Sequence, residues 1–126
     1  MAVDRSKIHP DLVRVVEVVE KRTNCKLICG NRGEKEQQEA YMRGNSKLIF
    51  PMSKHNLLPS EAIDLIPLPI DWNNIEAFRS LALLVKEVAK ELGLNIVSGG
   101  LDWKFKDWPH YELGRNNVKA KEREEA

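Results

Sequence analysis

No stretch of this sequence carries the roughly 18 consecutive apolar residues that a membrane-spanning helix requires. The N-terminus, MAVDRSKIHPDLVRVV, has no apolar run behind its first charges. It does not read as a secretory leader, so synthesis in the cytoplasm is expected. An excess of one charge is missing too, since 20 basic and 19 acidic residues leave a net charge of +1. With the signs interspersed, no bulk field draws the chain to nucleic acid or to a membrane surface. Cysteine is scarce. Cys25 and Cys29, in NCKLICG, have no second pair with which to close a structural zinc site. A disulfide is not expected in a cytoplasmic chain. On an alternating strand the two would share one face, which suits buried free thiols. No internal repeat is visible.

What is present describes one domain with a single core: 126 residues, 42% hydrophobic and 31% charged. Ile8-His9-Pro10-Asp11 has the form of a helix entry, and Leu12, Val15, Val16 and Val19 then recur on one face to about Arg22. CKLIC, 25–29, reads as a short strand. Glu34 to Met42 reads as a polar helix closed by Gly44, and 45–60 as loop. Ala62 to Ile66 is a strand ended by Pro67 and Pro69. The clearest helix runs from about Asn74 to Leu92, with Ile75, Phe78, Leu81, Val85, Val88, Ala89 and Leu92 as its apolar stripe. Asn73 and Glu76 have capping-box spacing at its start, and Gly93 lies just past its end. Short strands are expected at 95–97 and 110–113, the first ending in a Ser98-Gly99-Gly100 turn. The stretch 116–126, NNVKAKEREEA, is charged and nearly free of large apolar groups, and reads as a solvated tail after a domain spanning 1–115.

Chemistry-bearing residues are few. Of the 3 histidines, His9 sits at a helix entry and reads as a cap or surface residue. His55 lies in the polar loop shortly before Asp64, and His110 opens a strand on which Glu112 shares its face. Asp107 precedes His110 by three residues, with Pro109 restricting Trp108 to an extended conformation between them. Two histidines and one carboxylate leave a fourth zinc position to water, as in catalytic sites, and the spare acid suits proton transfer from that water. Trp72 is expected to pack against the core, while Trp103 and Trp108 suit either packing or a substrate groove.

These residues also resemble a known family. SKHNLLPSEAIDLIP is similar to the Ser-x-His … Ala-x-Asp zinc motif of the D-alanyl-D-alanine peptidases and the bacteriophage L-alanyl-D-glutamate endopeptidases. SGGLDWKFKDWPHYEL resembles the closing motif of the same family, and CGNRGEKEQQEAYMRGNSK the Gly-x-Arg … Gln … Gly segment that precedes both. The resemblance runs from about Leu27 to Leu113. It implies His55, Asp64 and His110 as zinc ligands and Asp107 as general base. Arg32 would steady the substrate carbonyl as charge develops, and Ser53 would hydrogen-bond to substrate or support a ligand. The sequence departs from the commoner form, where a glycine stands at the place of Leu58 and the aspartate follows the first histidine by seven residues rather than nine.

The expected fold is therefore α+β, a small antiparallel sheet with helices packed on one side, of the Hedgehog/D-Ala-D-Ala peptidase type. The implied function is zinc-dependent hydrolysis of peptidoglycan stem peptides by a phage endolysin that cuts L-alanyl-D-glutamate bonds. Such a protein is made in the host cytoplasm and acts on the wall after release, as a monomer, with no nucleic-acid partner and no membrane insertion. Two other readings share these residues: a D,D-carboxypeptidase or dipeptidase with the same site, and a non-catalytic zinc-stabilised virion or binding domain.

Overall fold

The computed structural model describes residues 2–114. Along the chain run α1 (Pro10–Arg22), β1 (Cys25–Cys29), α2 (Glu34–Met42), β2 (Ala62–Pro67), α3 (Ile75–Glu91), β3 (Ile96–Ser98) and β4 (His110–Leu113), with 3-10 turns at Arg5–Lys7 and Lys54–Asn56. The predicted tail at 116–126 lies outside the described residues, as does the boundary at 115. Among the described residues no helix is long and apolar enough to cross a membrane.

Helix α1 starts where the sequence places it. Pro10 occupies the first turn, where its missing N–H costs nothing. His9 is the cap, with Nδ1 accepting from Asp11 N at 3.1 Å. Leu12, Val15, Val16 and Val19 are the buried residues of this helix, each contributing about 1.5–3 kcal/mol by leaving water. On α3 the buried stripe is Phe78, Leu81, Ala82, Val85, Val88 and Ala89, while Ile75 stays exposed. The cap is Asn74 rather than Asn73. Asn74 Oδ1 accepts from Ala77 N at 3.2 Å, whereas Asn73 N donates to Asp71 Oδ1 at 3.0 Å in a turn before the helix. Gly93, at φ +72°, ends α3 in the left-handed region, with Gly93 N bonded to Lys90 O and Leu94 N to Ala89 O.

The four strands form one antiparallel sheet in the order β1-β2-β4-β3. Leu27, Ile63, Leu65, Ile96, Tyr111 and Leu113 join the stripes of α1 and α3 in one apolar cluster, so these two helices cover one face of the sheet. Helix α2 adds nothing apolar to that core, because its one buried side chain is Gln37. The expected α+β architecture is the observed one.

One strand does not alternate as its sequence suggests. Cys25 pairs with Pro67, Lys26 with Ile66 and Leu27 with Leu65, and then the register shifts so that Cys29 stands opposite Asp64. This bulge at Ile28 inserts a residue and reverses the faces beyond it. Cys25 packs against the core cluster, but Cys29 joins the opposite face of the sheet. The expectation that the two cysteines share a face therefore fails.

Candidate active site

The sheet face turned away from the helices carries a polar row. Asp64 on β2 pairs with His110 on β4 and with Cys29 on β1, so three potential donors line up across three strands. Residues directly opposite on an antiparallel pair stand about 4.5–5.5 Å apart at Cβ, close enough to share a ligand.

His55 reaches this row from the 3-10 turn at Lys54–Asn56. Ser53 caps the turn, its Oγ accepting from His55 N at 3.2 Å, and Asn56 Oδ1 accepts from Ser53 N at 3.0 Å to complete a capping box. The longer loop that follows is tied to the N-terminal segment. Ser60 N donates to Lys7 O at 2.8 Å, His9 N donates to Ser60 O at 2.9 Å, and Ser60 Oγ donates to Ala62 O at 2.7 Å. The additional residues between His55 and Asp64 are thus absorbed in a short bridge between Ser60 and Ile8.

Each histidine has one ring nitrogen engaged from behind. His55 Nδ1 lies 2.8 Å from Gly30 O, which can only accept, so Nδ1 carries a proton. His110 Nε2 lies 2.8 Å from Glu112 Oε1, and Lys54 holds that carboxylate at 2.9 Å while also donating to Leu113 O. The remaining nitrogens converge on one oxygen: His55 Nε2 is 3.4 Å and His110 Nδ1 3.7 Å from Asp64 Oδ1. Among the described residues, His55 Nε2 is buried with no hydrogen-bond partner. A buried polar atom in that state is costly unless something else occupies its lone pair.

Charges in the cluster shift accordingly. Burial alone would push His55 down, but the Asp64 carboxylate 3.4 Å away and Cys29 outweigh it and, without metal, raise the ring to about 10. Burial would likewise raise Asp64, yet His110 and His55 hold its carboxyl well below the usual range. For His110, burial is overcome by Asp64 and Glu112, which raise it. Asp107 moves the other way: burial and the neighbouring Asp64 push its carboxyl up.

Asp107 sits in a bend braced on both sides, with Asp107 N donating to Gly99 O at 3.0 Å and His110 N donating to Asp107 O at 3.1 Å. The two glycines are seats, beyond marking the predicted turn. A Cβ on Gly99 would intrude on the carbonyl oxygen of Asp107, and one on Gly100 would collide with the indole of Trp108. Trp108 packs against the core cluster, whereas Trp103 lies over His110 with ring centroids 4.8 Å apart. Trp72 stacks on the buried Phe78 of α3, as its expected packing role requires, yet remains 56% exposed and lines the cleft.

A cleft of about 840 Å³ opens over this face, and all six residues singled out in the sequence line it: Arg32, Ser53, His55, Asp64, Asp107 and His110. Arg32 Nη2 stands 3.4 Å from Asp64 Oδ2, on the oxygen the histidines do not share, and Nη1 donates to Gln37 Oε1 at 2.9 Å. Sequence reasoning missed Cys29. Its donor atom and those of His55 and Asp64 lie within 4.8 Å of one another, a group able to hold a metal ion. Only the bulge places it there, and strand periodicity gives no sign of a bulge. Cys29 Sγ is 3.9 Å from His55 Nδ1, the nitrogen already bonded to Gly30 O, so it flanks the back of the ring.

The α+β domain thus gathers two histidines around a shared carboxylate, beside an acid of raised pKa, in a cleft that holds a group able to bind a metal ion. More particularly, the chain belongs to the phage L-alanyl-D-glutamate peptidase family, whose profile matches residues 3–123. The L-alanyl-D-glutamate peptidase of Escherichia phage T5 is 32% identical over 92 residues, which is 71% of this chain and 66% of that protein, just under two thirds of its length. Among solved structures, the Serratia marcescens L-Ala-D-Glu endopeptidase ChiX superposes with a TM-score of 0.75 at 28% identity, covering 86% of this chain and 82% of the other.

Proposed function

We propose that this protein is a zinc peptidase that hydrolyses the L-alanyl-D-glutamate bond of peptidoglycan stem peptides, with His55 Nε2, Asp64 Oδ1 and His110 Nδ1 as ligands. The observation that carries this reading is the buried, unpartnered Nε2 of His55, aimed at the oxygen that His110 Nδ1 also faces. Donor separations of 3.4 and 3.7 Å lie at or just above the roughly 3.3–3.6 Å edges of a tetrahedron with bonds of about 2.0–2.2 Å. The bonds to Gly30 O and Glu112 orient both rings, as such ligands require. Cys29 remains outside this set. Bound there, zinc would supply a Lewis acid and bring the pKa of a water towards about 7.

The other steps fall to the chain itself. Asp107, raised by burial and by Asp64, is suited to take the proton of the attacking water and pass it to the leaving amine. Arg32 offers positive charge at the cleft wall, where it would steady the carbonyl oxygen as that oxygen becomes negative. Ser53 acts from below, through the cap that fixes His55. The same reading has the protein made in a host cytoplasm and acting as a monomer on the wall after release.

The test pairs metal content, with and without chelator, with hydrolysis of purified walls. Asp107→Ala is expected to keep the metal and lose at least about a hundredfold in rate. His55→Ala is expected to lose the metal. Mass spectrometry of the products identifies the bond: freed stem peptides support the endopeptidase, and freed D-alanine would indicate a carboxypeptidase instead. Walls lysed at the normal rate by Asp107→Ala would overturn the mechanism.

A further inference from the structure

Gln37, on the first turns of α2, has no exposed surface. Its Oε1 accepts from Arg32 Nη1 at 2.9 Å and from Asn56 Nδ2 at 3.1 Å. Its Nε2 donates to Ser46 Oγ at 2.9 Å and to Leu48 O at 2.6 Å. Two bonds accepted and two donated exhaust what a primary amide can make. The partners belong to separate parts of the site. Arg32 faces Asp64, Asn56 closes the capping box beside His55, and Ser46 and Leu48 lie on the cleft wall.

This arrangement limits how Arg32 can behave. A guanidinium beside a buried carboxylate tends to close on it with two parallel bonds. Here Nη1 is committed to Gln37, and Nη2 reaches only Asp64 Oδ2, at 3.4 Å. Oδ1, the oxygen that both histidines approach, is left uncontested. We propose that Gln37 is a positioning residue, holding Arg32 in the cleft at a set distance from Asp64 and tying it to the wall loop and to the turn that carries His55. The proposal rests on the peptidase reading for its kinetic consequences, though not for its structural one. The neutral amide matters: a glutamate at 37 would pair with Arg32 as an ion and draw it away, and could no longer donate to Ser46 and Leu48.

The experiment uses the metal-loaded full chain and has two independent readouts. Side-chain NMR of Arg32 should show hindered rotation about Cζ–Nη in the native protein and free rotation in Gln37→Met. If Arg32 rotates as freely in the native protein as in that variant, the proposal is overturned whatever the enzyme does. In kinetics, Gln37→Met should lower kcat by about tenfold or more with bound metal unchanged, as expected for a misplaced catalytic group. The effect should vanish in an Arg32→Ala background. An equal loss with and without Arg32 would show that Gln37 acts independently of it and would overturn the positioning role. If Arg32→Ala keeps full kcat while Gln37→Met still frees the guanidinium, the positioning stands and the catalytic part assigned to Arg32 fails. Should Gln37→Met not fold, Gln37→Glu serves: hindered Arg32 rotation with reduced kcat supports the proposal, and native kcat overturns it.

Discussion

At the scale of single residues, the site depends on groups that touch the histidines from behind. Glu112 accepts from His110 and is itself held by Lys54; burial would raise its carboxyl, but His110 and then Lys54 hold it below its usual value. Replacing Glu112 by Gln keeps the shape and removes the charge. Zinc affinity, read by competition with a coloured chelator, should fall about 10–100-fold; an unchanged affinity would show that His110 needs no such support. Tyr111 poses the converse case. Its ring lies wholly within the core, burial raises its pKa, and its hydroxyl has no hydrogen-bond partner among the described residues. Tyr111→Phe should therefore be neutral or stabilising by up to about 1–3 kcal/mol in urea denaturation, because a desolvated hydroxyl is removed and no bond is lost. A clear loss of stability would reveal a partner for that oxygen.

At the scale of elements, the helices α1 and α3 were legible because their stripes repeat at the helical period and their ends carry local signals such as Pro10 and Gly93. Local choices of cap were less so: both Asn73 and Asn74 can cap, and Asn73 is already bonded to Asp71. The bulge in β1 was not legible. It arises from pairing with β2, and pairing partners are absent from a local pattern. The glycine pair after β3 shows the same limit. Its spacing announces a turn, but its close approach to Asp107 and Trp108 follows from how the 99–110 segment folds back. Gly99→Ala should push the Asp107 carbonyl aside and cost about 1–3 kcal/mol. Melting temperature and hydrolysis should fall together, and an unaltered rate would mean that the bend at Asp107 tolerates displacement.

At the scale of the whole molecule, protons and the proposed metal would compete for one cluster. Without metal, His55 is raised from its usual 6.5 to about 10, so its contribution to stability is complete below 6.5 and is lost as pH rises towards 10. Asp64 is depressed, so its contribution is present above its usual 3.8 and is lost in stronger acid. In the proposed site zinc would need His55 neutral, so loading would release a proton, and this is harder at low pH. The gain in melting temperature on adding zinc should accordingly grow from about pH 5 to about pH 8. A gain that stays flat over that span would remove His55 from the ligand set. The sequence by itself determined which residue types were available, where the amphipathic helices run, and that His55 and Asp64, like Asp107 and His110, stand near each other in the chain. Those features rest on local spacing and side-chain chemistry, and both are present in the chain before it folds. Tertiary structure decided that Gly30 and Glu112 fix the ring tautomers, that Cys29 turns towards Asp64, and that Gln37 fastens Arg32. Each of these joins segments distant in sequence, and only the closed fold brings them within hydrogen-bonding reach.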